Sequence, residues 1–233
     1  MNDVILTLLC FGFVATALTL YILLFENGGA APSEIRNGIH MLGGLWGLLW
    51  WLFESRWVAL GVCVAPLLVI ALMVRPPAFF KDTIFEKINR RVRALLTNQE
   101  EVMEGIFYYA LALTLITLAL WDNKLIGTAA ILALSFGDGI AGIWGRAYGT
   151  HFYRFPWGKK KTIEGSAAGF VAAFLSILIV YGSVRGTITP AIVMMAVWGG
   201  AAAALAEGAS PRATDNFFVP AAVLLILIGI HAF

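Results

Sequence analysis

The chain has 233 residues, 60% of them hydrophobic and only 13% charged, with a formal net charge of +2 at pH 7 and a mean hydropathy of +0.84. Soluble domains carry about 45–50% apolar and about 25% charged residues, so this composition excludes a water-soluble enzyme and predicts an integral membrane protein. No nucleic-acid partner is expected.

Taken in chain order, the N-terminus opens Met-Asn-Asp with no basic region and runs apolar from Val4 to Phe25. That run is longer than a signal-peptide core and lacks its cleavage pattern, so it reads as a retained helix with no organelle-targeting extension. A helix needs about 20 apolar residues to cross the hydrocarbon, with about 17 as a working minimum. About eight segments approach or meet that measure: 4–25, 38–53, 57–74, 105–121, 125–143, 166–183, 188–206 and 217–232. The second is short and the fifth carries Asp138. Between the third and fourth, residues 76–98 place Phe80, Ile84, Ile88, Val92 and Leu95 at helical spacing, with Lys87, Arg90, Arg91 and Arg93 on the other faces. This pattern predicts an amphipathic helix lying in the interface, anchored on anionic lipid headgroups or steering an anionic nucleotide. Cys10 and Cys63 lie in separate apolar runs and match neither a metal-ligand spacing nor a disulfide framework, so both read as lipid- or core-facing thiols.

Alternating spans divide the connections into two sets. Segments 26–37, 75–104, 144–165 and 207–216 hold 13 of the 16 lysines and arginines; Arg56, Lys124 and Arg185 make up the rest. By the positive-inside rule the first set is cytoplasmic and both termini face away from the cytoplasm. Polar groups at the membrane boundary then gather on the cytoplasmic side: Arg36, Asn37 and His40; Glu101; Asp138 and Arg146; Lys159 to Glu164; Glu207, Asp215 and Asn216. Ionisable residues at the bilayer are costly and mark functional sites by default.

Three stretches carry chemistry. In SFGDGIAGIWGRAYG, Gly137, Ala141, Gly145 and Gly149 recur every four residues, a small-residue stripe that lets two helices approach closely, within the chain or in a dimer. Asp138, Gly142 and Arg146 form the neighbouring row, with acid and base about 12 Å apart along the axis and a glycine between them that leaves room for a ligand. In GKKKTIEGS, Lys160 and Lys161 supply point charges for phosphate, Thr162, Gly165 and Ser166 offer hydroxyl and backbone donors at a helix start, and Glu164 is a nearby carboxylate. In EGASPRATDNFFVP, Glu207, Asp215 and Asn216 present the oxygen donors that suit Mg²⁺. These are the parts that phosphoryl transfer needs, since its catalysis is mostly positioning and charge neutralisation. His40 follows Arg36 by one helical turn, while His151 and His231 have no partner visible in the sequence.

Four features resemble, in order, the CTP-dependent lipid-alcohol kinases, the group that includes phytol kinase, dolichol kinase and the CTP-dependent diacylglycerol kinase. They are Arg36 with His40, Glu101 followed by Gly105 and Tyr108, GDGIAGIWGRAYG followed by KKTIEGS, and Glu207 with Asp215-Asn216 and Pro220. The Gly-Asp and Lys-Thr-x-Glu-Gly elements are the specific part; Asn37 stands where these proteins often carry a lysine. The resemblance implies an all-α polytopic bundle forming a single membrane domain over 1–233, with 1–35 a peripheral first span and linker and 36–220 a kinase-like core. It implies Mg²⁺-dependent transfer of the γ-phosphoryl group from CTP, or another nucleoside triphosphate, to a long-chain isoprenoid alcohol (phytol, polyprenol or dolichol) at the cytoplasmic face. It further implies that Asp138, Glu101 and Lys161 act in catalysis, Asp138 by holding Mg²⁺ or orienting the attacking hydroxyl and Glu101 as general base. Arg146, Lys160, Thr162, Glu164, Gly165, Ser166, Arg36 and His40 would bind the nucleotide, and Asp138, Asp215, Asn216 and Glu207 the metal.

A CDP-alcohol phosphotransferase is excluded because Gly142 replaces the arginine its Asp-Gly-x-x-Ala-Arg motif needs. A diacylglycerol kinase and a phosphatidate cytidylyltransferase-like enzyme stay as alternatives, although ATDNFFVP lacks the latter's Lys-Asp pair and Gly-Gly turn. A membrane transporter stays a third alternative, although it would carry its charges near the bilayer midplane, often in two related halves, and here they cluster at one face.

Overall fold

Two helices, α7 (Lys124–Tyr148) and α8 (Ile163–Arg185), form the central pair of the bundle, with the most extensive contact of any two elements. The computed structural model describes residues 2–26, 32–74, 76–95, 99–211 and 213–231. Around the central pair stand α1 (Asp3–Glu26), α2 (Pro32–Gly44), the single turn α3 (Trp46–Leu49), α4 (Arg56–Val74), α5 (Ile84–Leu95), α6 (Gln99–Ala119), α9 (Pro190–Ala209) and α10 (Asp215–His231). Strands β1 (Phe152–Tyr153) and β2 (Lys161–Thr162) form a small antiparallel pair between α7 and α8, pairing Phe152 with Thr162 and Tyr153 with Lys161.

Local chemistry sets the helix ends. Thr162 caps α8 by accepting from Gly165 N at 3.1 Å, and Gly186 ends that helix in the left-handed conformation with φ of 70°. Thr189 caps α9 in the same way, and Pro190 takes the first helical position, where no N–H is needed.

The small-residue stripe on α7 is an intrachain seam. A Cβ on Gly165 would lie 2.9 Å from Ala141 O and 3.0 Å from Gly145 Cα, and one on Gly169 would lie 2.9 Å from Ala141 Cβ and 3.0 Å from Gly137 O. The partner is thus a second stripe on α8, Gly165, Gly169 and Ala173, so both backbones approach as in small-xxx-small membrane pairs. On the remaining sides of α7, a core of Ala129, Ala133, Ile177, Ala196 and Val223 joins it to α8, α9 and α10, while Trp46, Trp50, Cys63 and Ile131 tie it to α3 and α4.

Among the described residues four stretches are long and apolar enough to cross a membrane: Arg56–Met73, Trp121–Tyr148, Ile163–Arg185 and Pro190–Ala209. They contain or overlap the expected spans 57–74, 125–143, 166–183 and 188–206. Asp3–Ala17, Glu104–Ala119 and Asp215–Ile230 are shorter apolar helices. Asp138 does not mark a helix end, because α7 continues unbroken to Tyr148.

The expected span 38–53 is not a single helix. The chain breaks after Gly44, resumes as α3, and finishes as a 3₁₀ turn over Trp50–Leu52. Gly43 and Gly44 weaken the helix, and they let α2 press onto Tyr109 and Ser135. Beyond the break Trp50 enters the core and donates its ring N–H to Thr128 Oγ1 at 2.9 Å. The expected amphipathic helix is shorter than 76–98. It occupies Ile84–Leu95 after a 3₁₀ turn at Ala78–Phe80, and residues 96–98 fall outside the described residues. Ile84 and Ile88 on α5 are exposed, whereas Asn89 is buried and donates to Met73 O at 3.1 Å.

Candidate active site

Four charged side chains, from α7, α9, α10 and the hairpin, converge in the bundle. The hairpin carrying β1 and β2 is pinned to the C-terminus of α9: Trp157 donates its ring N–H to Ala209 O at 2.6 Å, and Gly158 pairs with Pro211. This anchoring brings Lys161 on β2 against Glu207 on α9, with which it forms an ion pair, and places its Nζ 4.0 Å from Asp215 Oδ2 at the start of α10. Asp138 on α7 completes the group, its charge acting on Lys161, Glu207 and Asp215. Burial works to lower the Lys161 pKa, but Glu207, Asp138 and Asp215 together outweigh it and hold the ammonium above the ordinary lysine value of 10.5. Lys161 therefore stays charged throughout the physiological range.

A cleft opens beside this cluster between α7, α8, α9 and α10. Asp138, Ser166 and Glu207 are its polar lining, and Gly137, Ala141, Ala203 and Ala204 are among its apolar walls. The Ser166 hydroxyl bonds to Tyr153 OH at 2.6 Å, which ties the cleft to β1.

A second network braces α10 from the other side. His40 Nε2 on α2 bonds to Asn216 Oδ1 at 2.8 Å, and Asn216 Nδ2 donates to Gly105 O on α6 at 2.9 Å. Tyr109 on α6 lies against the His40 ring with centroids 4.1 Å apart, and its hydroxyl bonds to Ser135 Oγ at 2.9 Å and His40 O at 3.1 Å. These contacts hold the residue next to Asp215 to two other helices, so they fix where that carboxylate points.

Of the residues singled out in the sequence, Asp138, Lys161, Glu207 and Asp215 are brought together, with Ser166 in the adjoining cleft. His40 and Asn216 are also close and bond each other through Nε2 and Oδ1, which makes them positioning groups for Asp215, while His40 Nδ1 is buried with no hydrogen-bond partner among the described residues. Thr162 is committed as the α8 cap, and Gly165 is part of the helix seam. Lys160 lies exposed with its Nζ 3.7 Å above the Phe152 ring. Glu164 accepts from Thr150 Oγ1 at 2.7 Å and pairs with His151 Nδ1 at 2.6 Å, tying down the start of the hairpin. Gly142 leaves no room for a ligand: a Cβ there would meet Asn37 Nδ2 at 2.5 Å and Arg146 Nη1 at 3.3 Å, so Asn37 fills the gap and donates to Gly139 O at 3.2 Å. The side chains of Arg36 and Glu101 lie outside the described residues.

Sequence reasoning passed over Tyr109, Tyr153 and His151. Tyr109 adjoins the Tyr108 that the family resemblance singles out, and helical phase distinguishes the two only once α7 is in place. His151 pairs with a residue 13 positions away across a hairpin, which no local pattern announces.

Among the described residues no three His, Cys, Asp or Glu side chains approach closely enough to enclose a metal ion on their own. Mg²⁺ needs less, since it commonly takes one or two carboxylates and completes its shell with water and substrate phosphate. Asp138 and Asp215, both oxygen donors within electrostatic reach of each other, fit that requirement.

No protein-family model matches the chain, and no solved structure matches it. Curated proteins do. The chain is 31% identical over 156 residues to a probable chloroplastic phytol kinase of Triticum aestivum, covering 65% of this chain and 50% of that one. It is 30% identical over 158 residues to chloroplastic phytol kinase 1 of Arabidopsis thaliana, covering 64% and 48%. A chloroplastic farnesol kinase of Arabidopsis thaliana is 35% identical over 79 residues, covering 34% and 25%. The chain spans about half the length of the phytol kinases it matches. This similarity to phytol and farnesol kinases supports the resemblance to lipid-alcohol kinases that the Gly-Asp and Lys-Thr-x-Glu-Gly motifs carry.

Proposed function

We propose that this protein transfers the γ-phosphoryl group of CTP to the hydroxyl of a long-chain isoprenoid alcohol at the cytoplasmic membrane face. The observation that carries the reading is the meeting of Lys161 with Asp138, Glu207 and Asp215 within an apolar bundle, in a chain about 30% identical to phytol kinases. A fixed cation among acids beside a cleft supplies what phosphoryl transfer requires: a place for phosphate charge and carboxylates for a hard cation. Phytol and farnesol, the alcohols in the relatives' names, are isoprenoid, and the apolar helices around the cleft suit such a chain.

In the proposed reaction the alcohol oxygen bonds to the γ-phosphorus while the bond to the β,γ-bridging oxygen breaks. CDP leaves and the hydroxyl proton passes to a basic group. Lys161 and Lys160 neutralise phosphate charge, and Arg146 extends the basic surface along α7. Asp138 and Asp215 are the carboxylates left for Mg²⁺ once Glu207 is paired with Lys161 and Asn216 with His40; bound there, the ion would offset charge on the phosphate oxygens. The Thr162 cap and the Glu164 contacts keep the hairpin rigid so that Lys161 does not wander. On α5 the exposed Ile84 and Ile88 rest on the headgroup layer, with Lys87 and Arg90 toward the cytoplasmic water.

The test is transfer of label from γ-³²P-labelled CTP, with ATP and UTP in parallel, to phytol, geranylgeraniol, a dolichol and diacylglycerol in detergent with Mg²⁺. Labelled isoprenoid monophosphate, strongest with CTP, is expected. Labelled phosphatidate instead would move the activity to a diacylglycerol kinase, and no lipid label with any donor would refute the kinase.

A further inference from the structure

The Glu207 carboxylate is satisfied on one side only. Its Oε1 receives the Lys161 ammonium, whereas Oε2 is buried and has no hydrogen-bond partner among the described residues. Glu207 is 6% exposed, so bulk water does not serve that oxygen. A buried acceptor left unmet is costly, more so when it is charged. Glu207 lines the cleft that also holds Asp138 and Ser166, and the glycine and alanine walls of that cleft leave a narrow apolar slot.

The chemistry of the slot restricts its occupant. Its enclosed volume is about 10 Å³, room for a hydroxyl-sized group and little more. It holds the head of a molecule and excludes a nucleoside triphosphate. A phosphate oxygen is excluded from Oε2 for a second reason, since both are anionic acceptors. What satisfies Oε2 is a donor, and walls such as Ala141, Ala203 and Ala204 call for a donor carried on hydrocarbon.

We propose that this slot is the acceptor subsite, in which the hydroxyl of a lipid alcohol donates a hydrogen bond to Glu207 Oε2 while its first carbons lie against Ala141, Ala203 and Ala204. The assignment rests on the lipid-alcohol kinase reading and specifies which part of the site takes the alcohol. Asp138, on the opposite wall, then faces the same hydroxyl from the α7 side.

The experiment measures binding without nucleotide or Mg²⁺, by thermal unfolding of the full chain in detergent with geranylgeraniol, with its methyl ether, and with the parent hydrocarbon lacking oxygen. In the wild type the alcohol binds at least about tenfold more tightly than the ether or the hydrocarbon, because a carboxylate only accepts. In Glu207→Gln the Lys161 ammonium, which only donates, draws the amide oxygen to itself and turns the NH₂ into the slot. Alcohol and ether then bind within about twofold of each other. Ala204→Leu, which fills the slot away from the charges, abolishes binding of the alcohol and carries the test if the glutamine variant does not fold. Equal binding of alcohol and ether to the wild type overturns the proposal, as does an undiminished preference in Glu207→Gln. So does stabilisation by Mg²⁺ alone that Glu207→Gln removes, which would make Oε2 a metal ligand. Alcohol discrimination without phosphoryl transfer to any alcohol would sink the kinase reading and keep the subsite; transfer without discrimination would do the reverse.

Discussion

Gly169→Ala adds one methyl group to a tight part of the α7–α8 seam. Its Cβ would come 2.9 Å from Ala141 Cβ and 3.0 Å from Gly137 O, the second a backbone atom that moves only if the helix moves. Overpacking of this kind costs about 1–3 kcal/mol, while alanine is better than glycine in a helix by about 1 kcal/mol. The net change is then a destabilisation of about 0–2 kcal/mol. Gly61→Ala on α4 is the control, because a Cβ there meets nothing within 4 Å. It receives the propensity gain without the packing cost, so the two variants differ by about 1–3 kcal/mol. For a chain of this size that is roughly 2–12 °C in Tm. Thermal unfolding in one detergent, read by circular dichroism, measures the difference. If Gly169→Ala is as stable as Gly61→Ala, the helices do not meet along these glycines and the placement of Asp138 beside Ser166 and Glu207 loses its basis.

Asp138→Asn should reduce lipid phosphorylation by at least about 100-fold with little change in Tm, as expected for a charge acting in the transition state; a well-folded, fully active variant would remove Asp138 from the reaction. Lys161→Met leaves Glu207 buried without its cation and should cost about 3 kcal/mol or more, and adding Glu207→Gln should recover part of that loss; purely additive costs in unfolding titrations would mean that the two do not interact. Because the Lys161 pKa is raised by its carboxylates, the pair's contribution is fully present below the ordinary lysine value of 10.5 and is lost only as pH rises through the higher folded value. Stability that fell with a lysine-dependent step between pH 7 and 9 would contradict the pairing. Tyr109→Phe removes the hydroxyl that joins Ser135 to His40 O and should cost about 1–3 kcal/mol, with a larger loss of activity than Tyr108→Phe if the brace on Asp215 matters.

Hydropathy and helical periodicity made most of the elements legible, because they depend on residues one or two turns apart. The apolar runs behind α4, α7, α8 and α9 announce helices of spanning length, and the amphipathic row of α5 is visible in the positions of Ile84 and Ile88. The Gly-Asp and Lys-Thr-x-Glu-Gly motifs are visible for the same reason, since each is a short stretch of neighbouring residues. The close fit at Gly43 and Gly44 was less legible: Tyr109 and Ser135 on other helices take the space a side chain would need there.

The sequence by itself determined a helical membrane protein with acids and lysines gathered in a few boundary segments. Only the tertiary structure decided which of those groups remain available for chemistry. Thr162 became a cap, Glu164 a tie to His151, Asn216 a clasp on His40, and Asn37 the filling above Gly142, while Lys161 rather than Lys160 met the acids. The physical reason is that a hydrogen bond or ion pair commits a side chain to whatever partner the packing delivers. His40 and Asn216 are 176 residues apart, and Lys161 and Glu207 are 46 apart, distances over which composition and periodicity carry no information.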